Sequence, residues 1–262
     1  MANDKWERSP IIIGGCARSG TGLLLAILGS HPHVLALPEE TRVFCPGAYE
    51  RANELSRRID VKRIYAHLNQ YPRGESLRWC EKTPKNVLFF PEILSAFNGN
   101  VRLIQIVRDG RDVVTSRHPE CAAKFYVTPR RWVTDTMAGL KYLKDDLILT
   151  IRYECLVLEF ESTVSHILEF IGEESVAELG NWHEYTSVTW QESWPGRAVR
   201  PLYASSIERW RRPEFAHRVE TFLAEPNAQR CLIELGYEIG PTLNQARASR
   251  QSIPQPTSQE LA

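Results

Sequence analysis

Clustered cysteine is missing from this chain, as is any excess of one charge. The six cysteines, Cys16, Cys45, Cys80, Cys121, Cys155 and Cys231, form no CxxC pair and do not cluster with histidine. That spacing argues against zinc, and a 262-residue chain is large enough to build a core without a disulfide framework. No metal is expected. Lys plus Arg and Asp plus Glu both number 32, so no global basic field marks a nucleic-acid binder. Nothing approaches the roughly 18 apolar residues of a membrane span. The opening stretch Met1 to Arg8 has no apolar leader, so a cytoplasmic location is the expectation. Internal repeats are also lacking.

What is present is enough apolar sequence, 43%, for one sizeable core. One domain over residues 1–240 is the simplest count. Residues 241–262, rich in Gln, Ser and Pro, read as a disordered tail.

The most informative stretch runs from Ile11-Ile12-Ile13 through Gly14-Gly15-Cys16-Ala17-Arg18-Ser19-Gly20-Thr21-Gly22 into Leu24, Ile27 and Leu28. An apolar run, a glycine-rich turn and a helical face in that order predict a strand, an anion-cradling loop and a helix N-terminus. The Gly15-x4-Gly20 spacing imitates the loop of nucleoside triphosphatases, but Thr21 and Gly22 occupy the places of its Lys and Ser or Thr. Without the lysine for the terminal phosphates and the hydroxyl for Mg²⁺, ordinary ATP or GTP hydrolysis loses two of its parts. Arg18 supplies the fixed charge instead, in a planar fork suited to phosphate or sulfate oxygens. A merely structural strand-to-helix turn remains the alternative.

Further strands are predicted at 34–37, from Leu77 into Glu81-Lys82-Thr83-Pro84, at 101–107 and at 147–151, with helices between them. This alternation predicts a three-layer α/β fold with a mainly parallel sheet, its ligands at the carboxyl ends of the strands. Three polar groups fall there. Glu39 and Glu40 follow the second strand, either in a surface turn or facing a site. Lys82 ends the third strand, in a site or as a solvated lysine. Arg108 ends the fourth, with Ser116 eight residues on in the opening turns of a helix, so that both reach one anion or belong to an Arg–Asp surface network. A packed helix is expected around Trp132, Met137, Leu140 and Tyr142. From 180 to 203 the chain is aromatic and irregular, with Trp182, Trp190, Trp194 and Tyr203, either packed on the body or forming a lid.

Together these pieces resemble the sulfotransferases that use 3′-phosphoadenosine 5′-phosphosulfate, PAPS. Arg18-Ser19-Gly20-Thr21 is similar to that family's 5′-phosphosulfate loop, and Val107-Arg108-Asp109-Gly110-Arg111 with Ser116 to its 3′-phosphate motif. Arg152-Tyr153-Glu154 resembles a further segment, with Cys155 replacing a frequent aspartate. The pattern leans toward the protein-tyrosine sulfotransferase-like and related bacterial branch, whose catalytic glutamate and lysine Glu40 and Lys82 resemble. Gly22 stands where a second threonine is usual.

The resemblance implies a P-loop-like fold and metal-independent, in-line transfer of a sulfuryl group from PAPS to a hydroxyl or amine, with PAP released. Glu40 is the candidate base, Glu39 its rival, and Lys82 and Arg18 the groups that stabilise the departing phosphate. Arg18, Ser19, Gly20, Thr21, Gly22, Arg108, Ser116, Tyr153 and Arg209 are the candidate donor contacts, and His31 reads as structural. The acceptor is expected to be a small molecule or sugar, with a peptide also open. A P-loop nucleotide or small-molecule kinase is the competing enzyme, and a binding protein without chemistry the non-enzymatic alternative.

Overall fold

Ile11, Ile12 and Ile13 are β-branched, suited to a strand covered on both faces, and none is exposed to solvent. The computed structural model, which describes residues 6–48, 58–189 and 199–237, places them in β1 (Ile11–Gly14), the central strand of a five-stranded sheet. The other strands are β2 (Val34–Ala36), β3 (Arg78–Lys82), β4 (Arg102–Val107) and β5 (Ile148–Arg152). They run in the order β2-β3-β1-β4-β5, and every pairing is parallel.

Alternation along β1 divides the core. Ile11 and Ile13 pack against α1 (Thr21–Leu28) and α7 (Phe160–Ile171) through Leu24, Leu28, Val164 and Ile167. Ile12 faces the opposite layer, with Trp79, Phe89, Phe90 and Ile64, where α2 (Ile64–Leu68) and α3 (Phe90–Ala96) lie. Sheet and helices thus form the three layers expected of the alternating pattern. The remaining helices are α4 (Gly110–Val114), α5 (Pro129–Leu140), α6 (Tyr153–Leu158), α8 (Trp182–Tyr185), α9 (Ala216–Leu223) and α10 (Ala228–Glu234). Trp132 of α5 meets Phe222 of α9 edge to face beside Val113, closing a third apolar cluster beneath the strand ends.

Several local expectations change. The helix expected between the third and fourth strands begins as a 3-10 turn at Pro84–Phe89 and becomes α-helical at Phe90, next to Pro91. Met137 does not share the buried face of Trp132; five residues along a helix turn it well away, and it is 42% exposed. Of the region 47–72, Ile64 and Leu68 form the buried helical face. Residues 49–57, Trp190, Trp194 and the tail at 241–262 lie outside the described residues.

Candidate active site

Parallel register carries sequence-distant residues to one edge. Ile13 sits between Lys82 and Ile104, and Val107 pairs with Arg152, so the loop after β1, Lys82 on β3, Arg108 after β4 and Tyr153 after β5 all emerge together. From β1 the chain goes to β2 and β3 on one side and then to β4 and β5 on the other, the crossover at which open parallel sheets form a ligand crevice.

The loop's shape has definite local causes. At Gly15, φ is 145°, and a Cβ would fall 2.3 Å from the Ile106 carbonyl oxygen; at Gly20, φ is 98°, and a Cβ would fall 2.5 Å from the Tyr153 ring. Only glycine fits both the backbone and the space. Arg18 also adopts a left-handed φ of 72°, a strain of the kind found at functional sites. Gly20 offers no side-chain cap to α1 and no acidic residue lies in the first turn, so the helix start keeps its positive end for a ligand.

A cavity of about 410 Å³ opens there, lined by Arg18, Gly20, Thr21, Gly22, Arg108, Ser116, Tyr153 and Arg209 among others. Of the predicted donor contacts, Ser19 alone is missing from this lining. Its side chain is fully buried and its N–H donates to the Cys16 carbonyl at 3.2 Å, inside the loop. The setting of Ser116 differs from the opening helical turns expected for it: α4 ends at Val114, so Ser116 lies just beyond the helix, where its hydroxyl donates to the Asp112 carbonyl at 3.1 Å. Arg209 Nη2 donates to the same carbonyl at 3.2 Å and to Ser116 Oγ at 3.0 Å. Arg108 donates to the Arg18 carbonyl at 3.2 Å and to the Ser206 carbonyl, with its guanidinium 4.3 Å from the Tyr153 ring centre.

Cationic crowding defines the electrostatics. Burial, with Arg108 and Arg209 as like charges, holds the Arg18 guanidinium below its usual range, and burial with Arg108 does the same to Arg209. Arg108 Nε and Arg209 Nε are buried with no hydrogen-bond partner among the described residues. Orphaned donors on neighbouring cations fit an anion with several oxygens.

The rest of the site is a second cavity of about 780 Å³, lined by Glu39, Glu40, Arg42, Lys82, Lys85, Tyr126, Arg130, Arg131 and Asp135 among others. Arg18 and Thr21 line both cavities, so the two spaces meet at the loop. The two adjacent carboxylates differ in their engagements. Glu39 has His67 Nδ1 3.0 Å from one oxygen and accepts from the Tyr71 hydroxyl at 2.7 Å on the other. Glu40 accepts from Lys82 Nζ at 2.7 Å. Lys82 is no solvated turn lysine, since its side chain is 4% exposed.

Two carboxylates not singled out in the sequence hold this frame together. Glu81, wholly buried, accepts from the hydroxyls of Thr41 at 2.9 Å and Thr83 at 2.6 Å and from Asn86 Nδ2 at 2.7 Å, fixing the segment after Glu40 to the third strand. Burial raises its carboxyl above the ordinary value against those hydrogen bonds. A carboxylate between Cys80 and Lys82 in a strand was the available signal. Asp112 accepts the backbone N–H of Glu208 at 2.8 Å and of Trp210 at 2.9 Å, which pins the turn carrying Arg209; burial pushes its carboxyl up to about 6. His31 is remote from this edge, with Nε2 3.1 Å from the Glu174 carbonyl, in keeping with a structural residue.

A family model described as the sulfotransferase family matches residues 10–178. The fold is similar to a sulfotransferase domain from the curacin biosynthetic pathway, at a TM-score of 0.53 and 18% identity over 90% of this chain and 100% of that one. The sulfotransferase domain of the Synechococcus olefin synthase gives 0.55 and 15%, covering 92% and 99%. A mouse sulfotransferase complexed with PAP gives 0.51 and 16%, covering 87% and 88%. No curated protein sequence matches.

Proposed function

Since the chain belongs to the sulfotransferase family, we propose that the smaller cavity binds PAPS, the larger one a hydroxyl or amine acceptor, and that Glu40 is the general base. The observation that carries this reading is the junction: Arg18 and Thr21 line both spaces, and the Lys82–Glu40 pair lines the acceptor side of it. A donor laid in the smaller cavity brings its transferable group to the boundary with the larger one. PAP in the mouse neighbour supports the donor's identity.

At the outer end, Arg108, Arg209 and Ser116 take the 3′-phosphate, with Tyr153 beside the adenosine. Toward the junction, Arg18 and the backbone of Gly20 to Gly22 take the 5′-phosphosulfate. Ser19 then acts by shaping the loop rather than by contact. The acceptor oxygen attacks sulfur in line as the bond from sulfur to the bridging oxygen breaks, and its proton passes to Glu40. Negative charge gathers on the departing phosphate, where Arg18 and Lys82 oppose it. Fixed donors in a water-poor site are worth about 3–4 kcal/mol each to such a step. The arginines and Lys82 supply the positive charge, so this scheme requires no metal.

Arg108→Ala tests the donor assignment. PAP affinity should fall about 10- to 100-fold, the worth of a hydrogen bond to a charged group, while ADP, which lacks the 3′-phosphate, loses far less. Equal losses for the two nucleotides would remove Arg108 from the 3′-phosphate site.

A further inference from the structure

Glu40, the proposed base, belongs to no helix or strand. The second strand ends at Ala36, and residues 37–42 run on as irregular chain. A general base works only within hydrogen-bond reach of the proton it takes, and loops hold such positions less well than helices or strands. The contact with Lys82 fixes the carboxylate end of Glu40, not the backbone that carries it.

That backbone is held on both sides. Before Glu40, the Leu37 N–H donates to the Cys80 carbonyl at 2.9 Å. After it, Thr41 donates twice to Glu81 Oε1, through its hydroxyl at 2.9 Å and its N–H at 3.3 Å. The Arg42 N–H donates to Thr83 Oγ1 at 3.2 Å, and that hydroxyl donates in turn to Glu81 Oε1 at 2.6 Å. Arg42 has a left-handed φ of 57°, a strain that a residue other than glycine keeps only where its surroundings over-determine it. The other oxygen, Glu81 Oε2, accepts from Asn86 Nδ2 at 2.7 Å, and the same nitrogen donates to the Ile13 carbonyl at 3.1 Å. Ile13 stands in β1, just before the glycine loop. One wholly buried carboxylate, which lines neither cavity, therefore joins the segment carrying Glu40 to the strand carrying the donor loop.

Resting on the sulfotransferase reading of this site, we propose that Glu81 is a positioning residue, which touches neither donor nor acceptor and sets the placement of Glu40 against the 5′-phosphosulfate loop. A carboxylate suits the place because it accepts at both oxygens. Glutamine would have to turn its NH₂ toward either the Thr41 N–H, which cannot accept, or the Asn86 NH₂, which the Ile13 carbonyl orients.

Glu81→Gln in the whole protein tests this, made both alone and in a Glu40→Gln background. Release of PAP from labelled PAPS with water as acceptor gives kcat and KM, and PAP titration and thermal melting report the donor site and the fold. Alone, the substitution should lower kcat about 10²-fold, the cost of a misplacement of about 1 Å, with the KM for PAPS and the PAP affinity little changed. In the Glu40→Gln background it should cost nothing further, since a misplaced base and a missing one fail alike. An equal loss in both backgrounds, or a loss of PAP affinity in step with stability, would reduce Glu81 to a structural residue and overturn the proposal. Should Glu81→Gln not fold, Thr41→Val removes one donor and leaves the buried carboxylate in place. It should lower kcat about tenfold, the worth of one hydrogen bond to a charged group, and again only while Glu40 is present. Full kcat in that variant would overturn the proposal equally. Unmodified protein that fails to bind PAP or to release it from PAPS counts against the sulfotransferase reading itself, and that result is read before any substitution is made.

Discussion

Glu40→Gln isolates the proposed base with little change of shape. In the protein, Glu40 accepts from Lys82 Nζ at 2.7 Å, with Glu40 34% exposed and Lys82 4% exposed. A pair open to water on one side contributes about 1 kcal/mol, so the variant should melt only a few degrees lower. The catalytic loss should be far larger, because removal of a positioned general base costs roughly 10²–10⁴ in rate. PAP release from PAPS with water as the acceptor reports this before the natural acceptor is known, and PAP titration checks that the donor site is intact. Glu39→Gln is the control. Both Glu39 oxygens are engaged, by His67 and by Tyr71, and loss of its charge should affect that local anchor more than turnover. Full activity in Glu40→Gln together with an inactive, folded Glu39→Gln would move the base to the neighbour and refute the reasoning.

Two other perturbations probe the frame. Gly20→Ala forces a left-handed residue to carry a Cβ 2.5 Å from the Tyr153 ring, so stability should drop by about 1–3 kcal/mol and PAP binding with it, read by thermal melts and titration; a neutral substitution would show that the loop is not fixed as described. Glu173 lies on the far side of the fold, where burial pushes its carboxyl up but hydrogen bonds from His33 and Arg8 and the charge of Arg78 hold it below the ordinary 4.5. Its ionised form therefore stabilises the fold above about pH 4.5, and that contribution is lost as pH falls through the lowered native value. Glu173→Gln should cost about 3–5 kcal/mol at pH 7, because it leaves the buried Arg78 without its charge partner, and the gap to wild type in urea melts should narrow toward pH 4. A gap independent of pH would contradict this.

Most of the strands were legible as short, mainly apolar runs that end in a polar turn; β3 is the exception, with Arg78, Glu81 and Lys82 making three of its five residues charged. Arg18, Arg108 and Ser116 were legible from type and spacing, although the turn that carries Ser116 was not. Glu81 and Asp112 escaped notice because their partners, Thr41 and Asn86 for one and the backbone of Glu208 and Trp210 for the other, include groups tens of residues away. The choice between Glu39 and Glu40 likewise depended on His67 and Tyr71, which no local pattern ties to either carboxylate.

The donor assignment at the glycine loop is tested most directly by calorimetry of the unmodified protein with PAP and, separately, with ADP plus Mg²⁺. Arg108, Arg209 and Ser116 converging on one cavity predict that PAP binds tighter, by about 10²-fold if the 3′-phosphate makes two charge-assisted contacts, and that it does so without added Mg²⁺. Tighter binding of ADP plus Mg²⁺ would contradict the account and return the loop to the phosphotransferases it imitates.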